Sequence, residues 1–344
     1  MADKVARKAT LSLTYRGQDL GRHCVGFTYT DNDQDALDGI EVTLEDREGY
    51  WLGPWWPRKM DTIVAAIHTE DWEFPGQRQT LACGVFEIEE PAVAGPPDQV
   101  TIQGHSAKVS QNNRTQRKST AWDNPSLQML AAEIAGRMGL GLIWEGNDVS
   151  YKRQEQKSEG DLAFLRRLCR EAGNGVKVVN ESLVVFAGQT WDARPPSFTL
   201  KRSQALGENP LITNYRFQNQ SHDKFQSCIV RWTDPQTKEV YQGRFDEPKA
   251  DKASGETFMV RDRRVDSNAD AQKMAQSLLR AKNQGDFTAE MQLMGDIRLK
   301  AGLTCQVAEF GRFSGKYLVE EARHRLDAFG GYTAQLTLRK VLEY

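Results

Sequence analysis

Two segments near opposite ends of this 344-residue chain repeat one order of residue types. The first reads GVFEIEEPAVAGPPDQVTI from Gly84, and the second reads GKYLVEEARHRLDAFGGYTAQL from Gly315. Each has a glycine, an aromatic residue, an aliphatic residue and a glutamate pair, followed by a glycine-bearing loop and an alternating strand. Upstream, EVTLED and DTIVAAI precede the first copy as AEMQLMGD and LTCQVAEF precede the second. We therefore predict two similar β-barrels, one near each end of the chain.

The second copy could also be read as chemistry, because Glu320 and Glu321 stand close to His324. From Tyr332 onward, however, apolar and polar residues alternate, and glycines separate this run from the preceding one, which predicts a β-hairpin. On a strand, Glu320 and His324 are about 13 Å apart at about 3.3 Å per residue, too far to share a metal ion or a proton. The first copy has Val93 where the second has His324. The stretch is therefore interpreted as architecture.

The glutamate pairs recur without the histidine, which suggests a strand-end motif that pairs with Arg or Lys on a neighbouring strand or subunit. This makes interface candidates of Glu89, Glu90, Glu320 and Glu321. Strict alternation along the last hairpin would also place five residues on one strand face: Leu318, Glu320, Ala322, His324 and Leu326.

The first 105 residues contain six short β-rich runs separated by Gly, Pro, Asn and Asp clusters, which is typical of a sandwich or small barrel. We assign residues 1–118 to a first tube-like β-barrel. The basic run KVSQNNRTQRKST, at 108–120, lacks interleaved aromatic residues, so it is interpreted as a solvated linker or loop and not as a nucleic-acid arm.

Residues 119–195 have helical periodicity and predict a compact α+β insert of two helices and a hairpin. The first helix would start with Asn124 as N-cap and Pro125 at its first position, and the second would be capped by Ser158. Beyond the insert, residues 196–344 are predicted to form a second tube-like barrel, with a helix at about 267–284 capped by Ser267. The fold class is thus mainly β with an α+β insert.

Composition and motifs argue against a catalytic or cofactor site. The formal net charge is −2, and the five cysteines and five histidines are scattered singly, without zinc-site spacing. No nucleophile elbow, HExxH, P-loop or dinucleotide motif is present. No apolar run approaches membrane-span length, and the N-terminus lacks the apolar core of a signal peptide, so we expect no membrane segment and folding in the cytoplasm. We therefore expect no catalytic, cofactor-binding or metal-binding residues in this chain.

Four segments together resemble a known family: EVTLEDREGYWLGPWWPRKMD (41–61), CGVFEIEE (83–90), QKSEGDLAFLRRLCREAG (156–173), and MGDIRLKAGLTCQV with the last hairpin (294–340). The chain resembles the phage tail hub family over nearly its whole length. That family comprises the late control protein D proteins of contractile-tailed phages, the central hub of T4-like baseplates and the N-terminal part of type VI VgrG spike proteins.

The resemblance implies a structural, non-enzymatic homotrimer in which six tube-like barrels surround an axial channel with pseudo-sixfold symmetry. Such a ring adapts a sixfold tail tube to a threefold spike. The implied partners are further copies of the chain, a spike protein, a tail tube or tube-initiator protein, and a tape-measure protein in the lumen, with DNA only in transit. Because the chain stops at Tyr344, we expect a separate spike instead of a fused needle. The implied location is the virion tail, after assembly in the host cytoplasm.

The aromatic loop GYWLGPWWPRKMD supplies three more interface candidates, Trp51, Trp55 and Trp56, since aromatic residues are enriched in interface cores. The alternative is that they close the bottom of their own barrel. Two other functions stay open: the hub of a tailocin or secretion system, and a tail-tip protein that binds or degrades cell wall. For the enzyme, the candidate carboxylates are Glu45, Glu48, Glu320 and Glu321.

Overall fold

The computed structural model describes residues 6–34, 36–58, 60–106, 117–179, 181–203, 210–219, 224–248, 256–261, 263–328 and 331–344. Most of the basic run at 108–120 lies outside these ranges. The protein is mainly β, and thirteen strands form one sheet. All six β-rich runs of the first 105 residues form strands, and the strands of this first half are β1 (Lys8–Tyr15), β2 (Gln18–Asp19), β3 (Cys24–Asn32), β4 (Gly39–Glu45), β5 (Thr62–Glu70), β6 (Arg78–Ala94) and β7 (Gln99–Ser106).

The strands of the first half are antiparallel neighbours in the order β3-β4-β7-β6-β5-β1-β2. Their alternate side chains build one apolar core, which includes Leu13, Phe27, Val42, Phe86 and Ile102. Two residues from the other end of the chain, Ile297 and Tyr332, also belong to this core. The two ends of the chain are therefore packed against each other.

The insert has its own core and its own sheets. Its elements are β8 (Lys118–Asp123), α1 (Leu127–Arg137), β9 (Gly141–Glu145), β10 (Arg153–Glu159), α2 (Asp161–Glu171), β11 (Asn174–Val179), β12 (Ser182–Ala187) and α3 (Gly188–Ala193). The predicted hairpin is β11–β12, and β9 adds to it in parallel. The apolar stripes predicted for the two helices face this core, through residues such as Leu130, Ile134, Leu165 and Leu168.

The predicted N-caps of these two helices are wrong. Helix α1 is capped by Ser126, whose Oγ accepts a hydrogen bond from the Met129 N–H at 3.2 Å. Asn124 instead has a left-handed φ of +53°, which asparagine tolerates, and it turns the chain after β8. Ser158 lies within β10, and Gly160 is the N-cap of α2. A cap depends on local dihedral angles, which residue type alone does not determine.

The second half contains two structural units. Its elements are β13 (Phe198–Lys201), β14 (Ile212–Asn219), β15 (Phe225–Thr233), β16 (Val240–Asp246), β17 (Glu256–Val260), α4 (Asn268–Asn283), β18 (Phe287–Met294), β19 (Thr304–Ala308), β20 (Gly315–Asp327) and β21 (Gly331–Lys340). Strands β13, β14 and β18–β21 join the large sheet around a second apolar core. Strands β15–β17 form a separate three-stranded sheet that packs on α4.

Helix α4 packs closely on the small sheet. Ser267 caps this helix as predicted, with its Oγ accepting from the Asp270 N–H at 3.1 Å. Gly243 of β16 allows the close approach, because a Cβ there would lie 2.1 Å from the Gln272 nitrogen. Any side chain at residue 243 would therefore push the helix off the sheet.

The repeat seen in the sequence is present in the strand pairing. In the first half, β4 pairs with β7, β7 with β6, and β6 with β5. In the second half, β18 pairs with β21, β21 with β20, and β20 with β19. Strands β4 to β7 therefore have the same order and connectivity as strands β18 to β21.

The matched glycines and glutamates occupy matched backbone positions. Gly84 and Gly315 both have positive φ, at +119° and +146°. Each glutamate pair lies at a β-bulge, where the register shifts between Ile88 and Glu90 in one half and between Val319 and Glu321 in the other. An extra residue reverses which face the following side chains take.

The bulge makes the predicted faces of β20 wrong. Tyr317 and Val319, before the bulge, and Ala322, after it, all belong to the core of the second half. His324 is fully buried on the same strand. Leu318 and Ala322 therefore do not share a face, contrary to strict alternation.

A polar sheet face and two open strand edges as the candidate functional site

The two halves are joined by direct strand pairing. Strand β20 of the second half pairs antiparallel with β3 of the first, from Glu321 opposite Asn32 to Asp327 opposite Gly26. The sheet consequently runs without interruption through eight strands in the order β14-β18-β21-β20-β3-β4-β7-β6. We call the pairing of β20 with β3 the joint.

One face of this eight-stranded path carries the cores, and the other is polar. Residues opposite one another in the register point to the same side. One row across six strands reads Thr333, Arg325, Thr28, Glu41, Gln103 and Glu90. A neighbouring row reads Gln292, Gln335, Arg323 and Thr30. Apart from Glu90, these polar residues line a groove of about 810 Å³ on the sheet surface.

The polar face combines uncharged hydrogen-bonding side chains with charges of both signs. Glu321 and Arg323, for example, form an ion pair at 3.1 Å. The threonine and glutamine side chains of the polar face offer both hydrogen-bond donors and acceptors to water. Such a surface binds water readily, and its two rows of residues carry charges of both signs.

Both ends of the eight-stranded path have open edges. Within the described ranges, residues 90–94 of β6 pair with β7 alone, and β14 pairs with β18 alone. The repeat relates these edges to the joint, because β6 corresponds to β20, and β14 to β3. Strand β14 corresponds to β3 because β14 pairs with β18 and β3 pairs with β4, which is the counterpart of β18. The joint pairs β20 with β3, and the two ends of the path are formed by their counterparts, β6 and β14.

The glutamate pairs lie at the joint and at its open counterpart. The Glu320 carbonyl accepts from the Asp33 N–H at 2.8 Å, and its carboxylate is 3.4 Å from the Arg339 guanidinium. Glu89 is correspondingly 3.5 Å from the His105 imidazole. Arg339 and His105 occupy equivalent positions in the repeat, because each comes directly after the residue that pairs with the bulge: Leu338 opposite Val319, and Gly104 opposite Ile88. In each half, the first glutamate of the pair therefore faces a basic group on the adjacent strand.

The three tryptophans of the aromatic loop have different environments. Trp51 is 1% exposed and stacks on Tyr15, with ring centroids 5.5 Å apart. The backbone N–H of Trp51 donates to the Asp46 carboxylate at 3.2 Å. Trp55 is half-buried and meets Trp51 edge-on at 5.9 Å. Trp56 is 44% exposed. Trp51 thus belongs to its own core, while Trp56 presents an apolar surface to solvent.

His324 has a structural environment. Its Nδ1 lies 2.7 Å from the Tyr332 hydroxyl, its Nε2 lies 2.8 Å from the Leu299 carbonyl, and its ring stacks on Tyr29 of the joint. Since a carbonyl only accepts, Nε2 carries the proton and Nδ1 accepts from Tyr332. Burial lowers the pKa of His324, although the bond to Leu299 opposes this. The imidazole is therefore a neutral bridge within the joint.

Three of the four carboxylates considered for cell-wall chemistry have structural partners, and the fourth, Glu48, is exposed. Glu45 pairs with Arg47 at 2.8 Å, and Glu321 pairs with Arg323. In the described part of the chain, no three His, Cys, Asp or Glu side chains are grouped closely enough to hold a metal ion. No helix among those residues has both the length and the apolarity needed to cross a membrane.

A buried ionic cluster beside the joint was missed by sequence reasoning. Asp192 of α3 pairs with Arg339 at 2.9 Å and with Arg280 of α4. Asp31 pairs with Lys177 at 2.6 Å. Both carboxylate oxygens of buried Asp33 are without a hydrogen bond to any described residue. Burial raises the pKa of Asp33 to about 7, against the opposing charges of Arg339 and Lys177.

No local signal marks these residues in the sequence, because the partners are far apart along the chain: 147 positions separate Asp192 from Arg339. The cluster connects the insert to the second half through Asp192 and to the first half through Lys177. It therefore helps to fix the insert over the joint.

Comparison with known proteins relates nearly the whole chain to solved structures of one fold. The model of the YQBQ-like family matches residues 205–339. No curated protein matches significantly. The tail protein from Neisseria meningitidis MC58 and the 43 kDa tail protein of prophage MuSo2 from Shewanella oneidensis each superpose with a TM-score of 0.72 and 12% identity, covering 97% of this chain and 98% of theirs. The chain has the fold of phage tail proteins.

This tail-protein fold also occurs outside phages. The E. coli c3393 protein is a component of the type VI secretion system with structural similarity to the T4 tail proteins gp27 and gp5. It superposes with a TM-score of 0.60 and 11% identity, covering 96% of this chain and 77% of that one. The resemblance to the phage tail hub family is thus confirmed at the level of the fold.

Proposed function

We propose that this protein is the baseplate hub of a phage tail, a ring of three copies that adapts a sixfold tail tube to a threefold spike. The observation that carries the proposal is the internal repeat, with the two halves joined into one eight-stranded sheet that has a polar face and matching open ends. A chain whose two halves have the same topology can present six similar units from three copies.

In this proposal, residues 1–118 and 196–344 each supply one tube-like barrel, and residues 119–195 form a peripheral insert. The polar face lines the axial channel. Cargo such as a tape-measure protein, and later DNA, passes over threonine, glutamine and asparagine side chains with charges of mixed sign. The absence of aromatic side chains from the two rows described above favours passage over binding.

The ring is assembled in the host cytoplasm and resides in the virion tail, in contact with the spike on one side and the tube or tube-initiator protein on the other. The same geometry suits the hub of a non-viral injection machine. The likeness to a type VI secretion component supports that second candidate. Both candidates are structural proteins without catalytic residues.

The test is the mass of the purified protein in solution, with and without its cognate spike, by light scattering. We expect a species of three times the 38.9 kDa chain mass, either alone or in the spike complex. A protein that stays monomeric at high concentration and with the spike would contradict the hub. Lysis of purified peptidoglycan that is lost in Glu45→Gln or Glu321→Gln would favour the cell-wall function.

A further inference from the structure

At the joint, strand β20 of the second half covers the edge strand β3 of the first half. Along β3, Phe27, Tyr29 and Asp31 lie opposite Leu326, His324 and Ala322 of β20. Phe27 is 1% exposed, and the other two β3 residues are also buried. The His324 ring stacks on Tyr29 at 6.1 Å. Pairing with β20 therefore buries an aromatic pair at the edge of the first half.

Strand β14 has the same pattern without a covering strand. Glu41 and Glu290 are equivalent in the repeat, and they lie opposite Thr28 and Arg216, respectively. This register makes Tyr215 the counterpart of Phe27, Phe217 that of Tyr29, and Asn219 that of Asp31. Tyr215 is 42% exposed and Asn219 is exposed, while Phe217 is half-buried. The second half thus has an aromatic edge like the one that the joint covers.

Strand β6 provides the corresponding covering edge. Glu90 and Glu321 are equivalent, so Pro91 matches Ala322 and Val93 matches His324. Proline has no N–H and is tolerated on edge strands, where it also limits unspecific pairing. Val93 would meet Phe217 where His324 meets Tyr29, and an aromatic residue opposite a β-branched one is a favourable cross-strand pair.

A loop beside each edge has a matching position. At the joint, the connection between β18 and β19 lies over β3, where the Ala301 N–H donates to the Asp31 carboxylate at 2.9 Å. In the first half, the aromatic loop takes the equivalent position. At its end, the Asp61 carbonyl accepts a hydrogen bond from the Ile88 N–H, and at the end of the β18–β19 connection, the Leu303 carbonyl accepts one from the Val319 N–H.

The residues before these carbonyls match as well. Met60 has a φ of +68° and Gly302 has a φ of +82°. Gly302 is enclosed beside the joint, since a Cβ there would lie 2.8 Å from the Trp191 ring of α3 and 3.2 Å from the Asp33 carboxylate, one residue beyond β3. Met60 and its loop neighbours Leu52 and Trp56 are exposed instead. An apolar loop therefore stands beside the open edge of β6, where its counterpart covers the joint.

We propose that β6 of one copy pairs antiparallel with β14 of a second copy, in the register of the joint, and that the loop containing Leu52, Trp56 and Met60 packs over the new contact. The paired residues are Pro91 with Asn219, Ala92 with Gln218, Val93 with Phe217, and Ala94 with Arg216. This contact rests on the proposed ring and specifies its subunit interface. Because it joins different surfaces of identical chains, it leaves one of each edge free for the next copy until the ring closes.

Disulfide trapping tests the register. Ala92→Cys and Gln218→Cys are prepared separately and as a double variant, and each is oxidised mildly at the concentration where the ring forms. Directly opposite residues on paired strands have Cα separations of about 4.5–5.5 Å, within disulfide range. Mixing the single variants should give a covalent dimer, and the double variant should give a covalent trimer on non-reducing gels. Wild-type protein controls for the native cysteines, four of which are buried.

The matched control is Ala92→Cys with Arg216→Cys, which is displaced by two residues and should give little cross-link. If light scattering shows the ring but Ala92 and Gln218 do not cross-link, or the displaced pair links better, the proposed register is wrong while the hub function stands. If the protein is monomeric with and without the spike, the ring itself fails, and this contact fails with it.

Discussion

The two halves of this protein have the same four-strand topology but differ in what covers their aromatic edge strand. In the first half, β20 pairs with β3, and Phe27 is buried. In the second half, β14 carries Tyr215 and Phe217 at the equivalent positions, and Tyr215 is exposed. Among the described residues, β3 has a strand on both sides, whereas β14 has one only on the β18 side. The β14 rings contact Phe310 and Phe313 instead, and Tyr215 stays exposed. We propose that another copy of the chain covers this exposed aromatic strand.

The connections beside the two edges differ in the same sense. The β18–β19 connection fits the joint with polar contacts: the Ala301 N–H donates to the Asp31 carboxylate of β3 at 2.9 Å, and the Leu299 carbonyl lies 2.8 Å from His324 Nε2 of β20. The β4–β5 connection exposes Leu52 and Trp56. A covered loop can rely on fixed polar partners, whereas an exposed apolar loop gains free energy only when a surface covers it.

The largest difference is expected between Phe27→Ala and Tyr215→Ala. Removing the buried Phe27 ring should destabilise the isolated chain by roughly 3–5 kcal/mol, whereas removing the exposed Tyr215 ring should cost about 1 kcal/mol or less. Urea unfolding of monomer at low concentration measures both. Tyr215→Ala should instead weaken self-association. Equal losses of stability would contradict the difference in burial between the two strands.

Asp192→Asn tests the cluster that ties the insert to the second half. It leaves the buried guanidinium groups of Arg280 and Arg339 without their shared counter-charge, so we expect a loss of roughly 2–4 kcal/mol. Asp246→Asn is the matched control, because the ion pair of Asp246 with Arg244 is exposed to solvent and should contribute little to stability. Similar urea midpoints for the two variants would contradict the structural role of the cluster.

Asp33→Asn should stabilise the protein at pH 8, by roughly 1–3 kcal/mol, since it removes a buried carboxylate that lacks hydrogen bonds. The folded-state pKa of about 7 lies above the unfolded value, so the folded protein binds the proton more tightly. The stability contributed by protonated Asp33 is thus present at low pH and is lost as pH rises towards 7.

Unfolding free energies of wild type and Asp33→Asn, measured from pH 5 to pH 8, check this sign. The advantage of the variant should grow as pH rises over this range and level off above pH 7. An advantage that is constant with pH would show that Asp33 does not titrate in this range.

His324 should have the opposite pH dependence. Its folded-state pKa is lowered by burial, so the unfolded chain binds more protons as pH falls below about 6.5, and stability decreases. Between pH 7 and pH 5.5 the loss attributable to His324 should be about 1 kcal/mol. His324→Gln should be less stable at neutral pH but should lack this part of the acid dependence. Parallel pH profiles for the two proteins would exclude His324 as the cause.

Trp56→Ala should have the smallest effect on the isolated chain, under about 0.5 kcal/mol, because the side chain is largely exposed. Its effect should appear in the concentration dependence of the oligomer, by sedimentation velocity. Glu48→Ala is the matched control, because Glu48 is also exposed and lies on the same connection between β4 and β5. Equal self-association of both variants with wild type would remove Trp56 from the interface.

The amino-acid sequence by itself determined the strands of the first 105 residues, the two longer helices and the hairpin of the insert, and the order of the repeat, because these follow from apolar periodicity and turn residues over short stretches. It also indicated that Glu320 and His324 belong to a hairpin. Strict alternation failed at Glu320, where a bulge inserts one residue, and the caps at Asn124 and Ser158 failed because they depend on backbone dihedral angles.

Only the tertiary structure decided the joint between β20 and β3, the separate sheet on α4, and the ionic cluster around Asp192. These features depend on residues from distant parts of the chain, whose charges and edges have no local signature. For the aromatic loop, the residue types alone identified the tryptophans as candidates for an interface or a core. Only the tertiary packing showed that Trp51 is buried in the core of the first half and that Trp56 is exposed. Periodicity reports the environment of neighbours in sequence, and burial depends on neighbours in space.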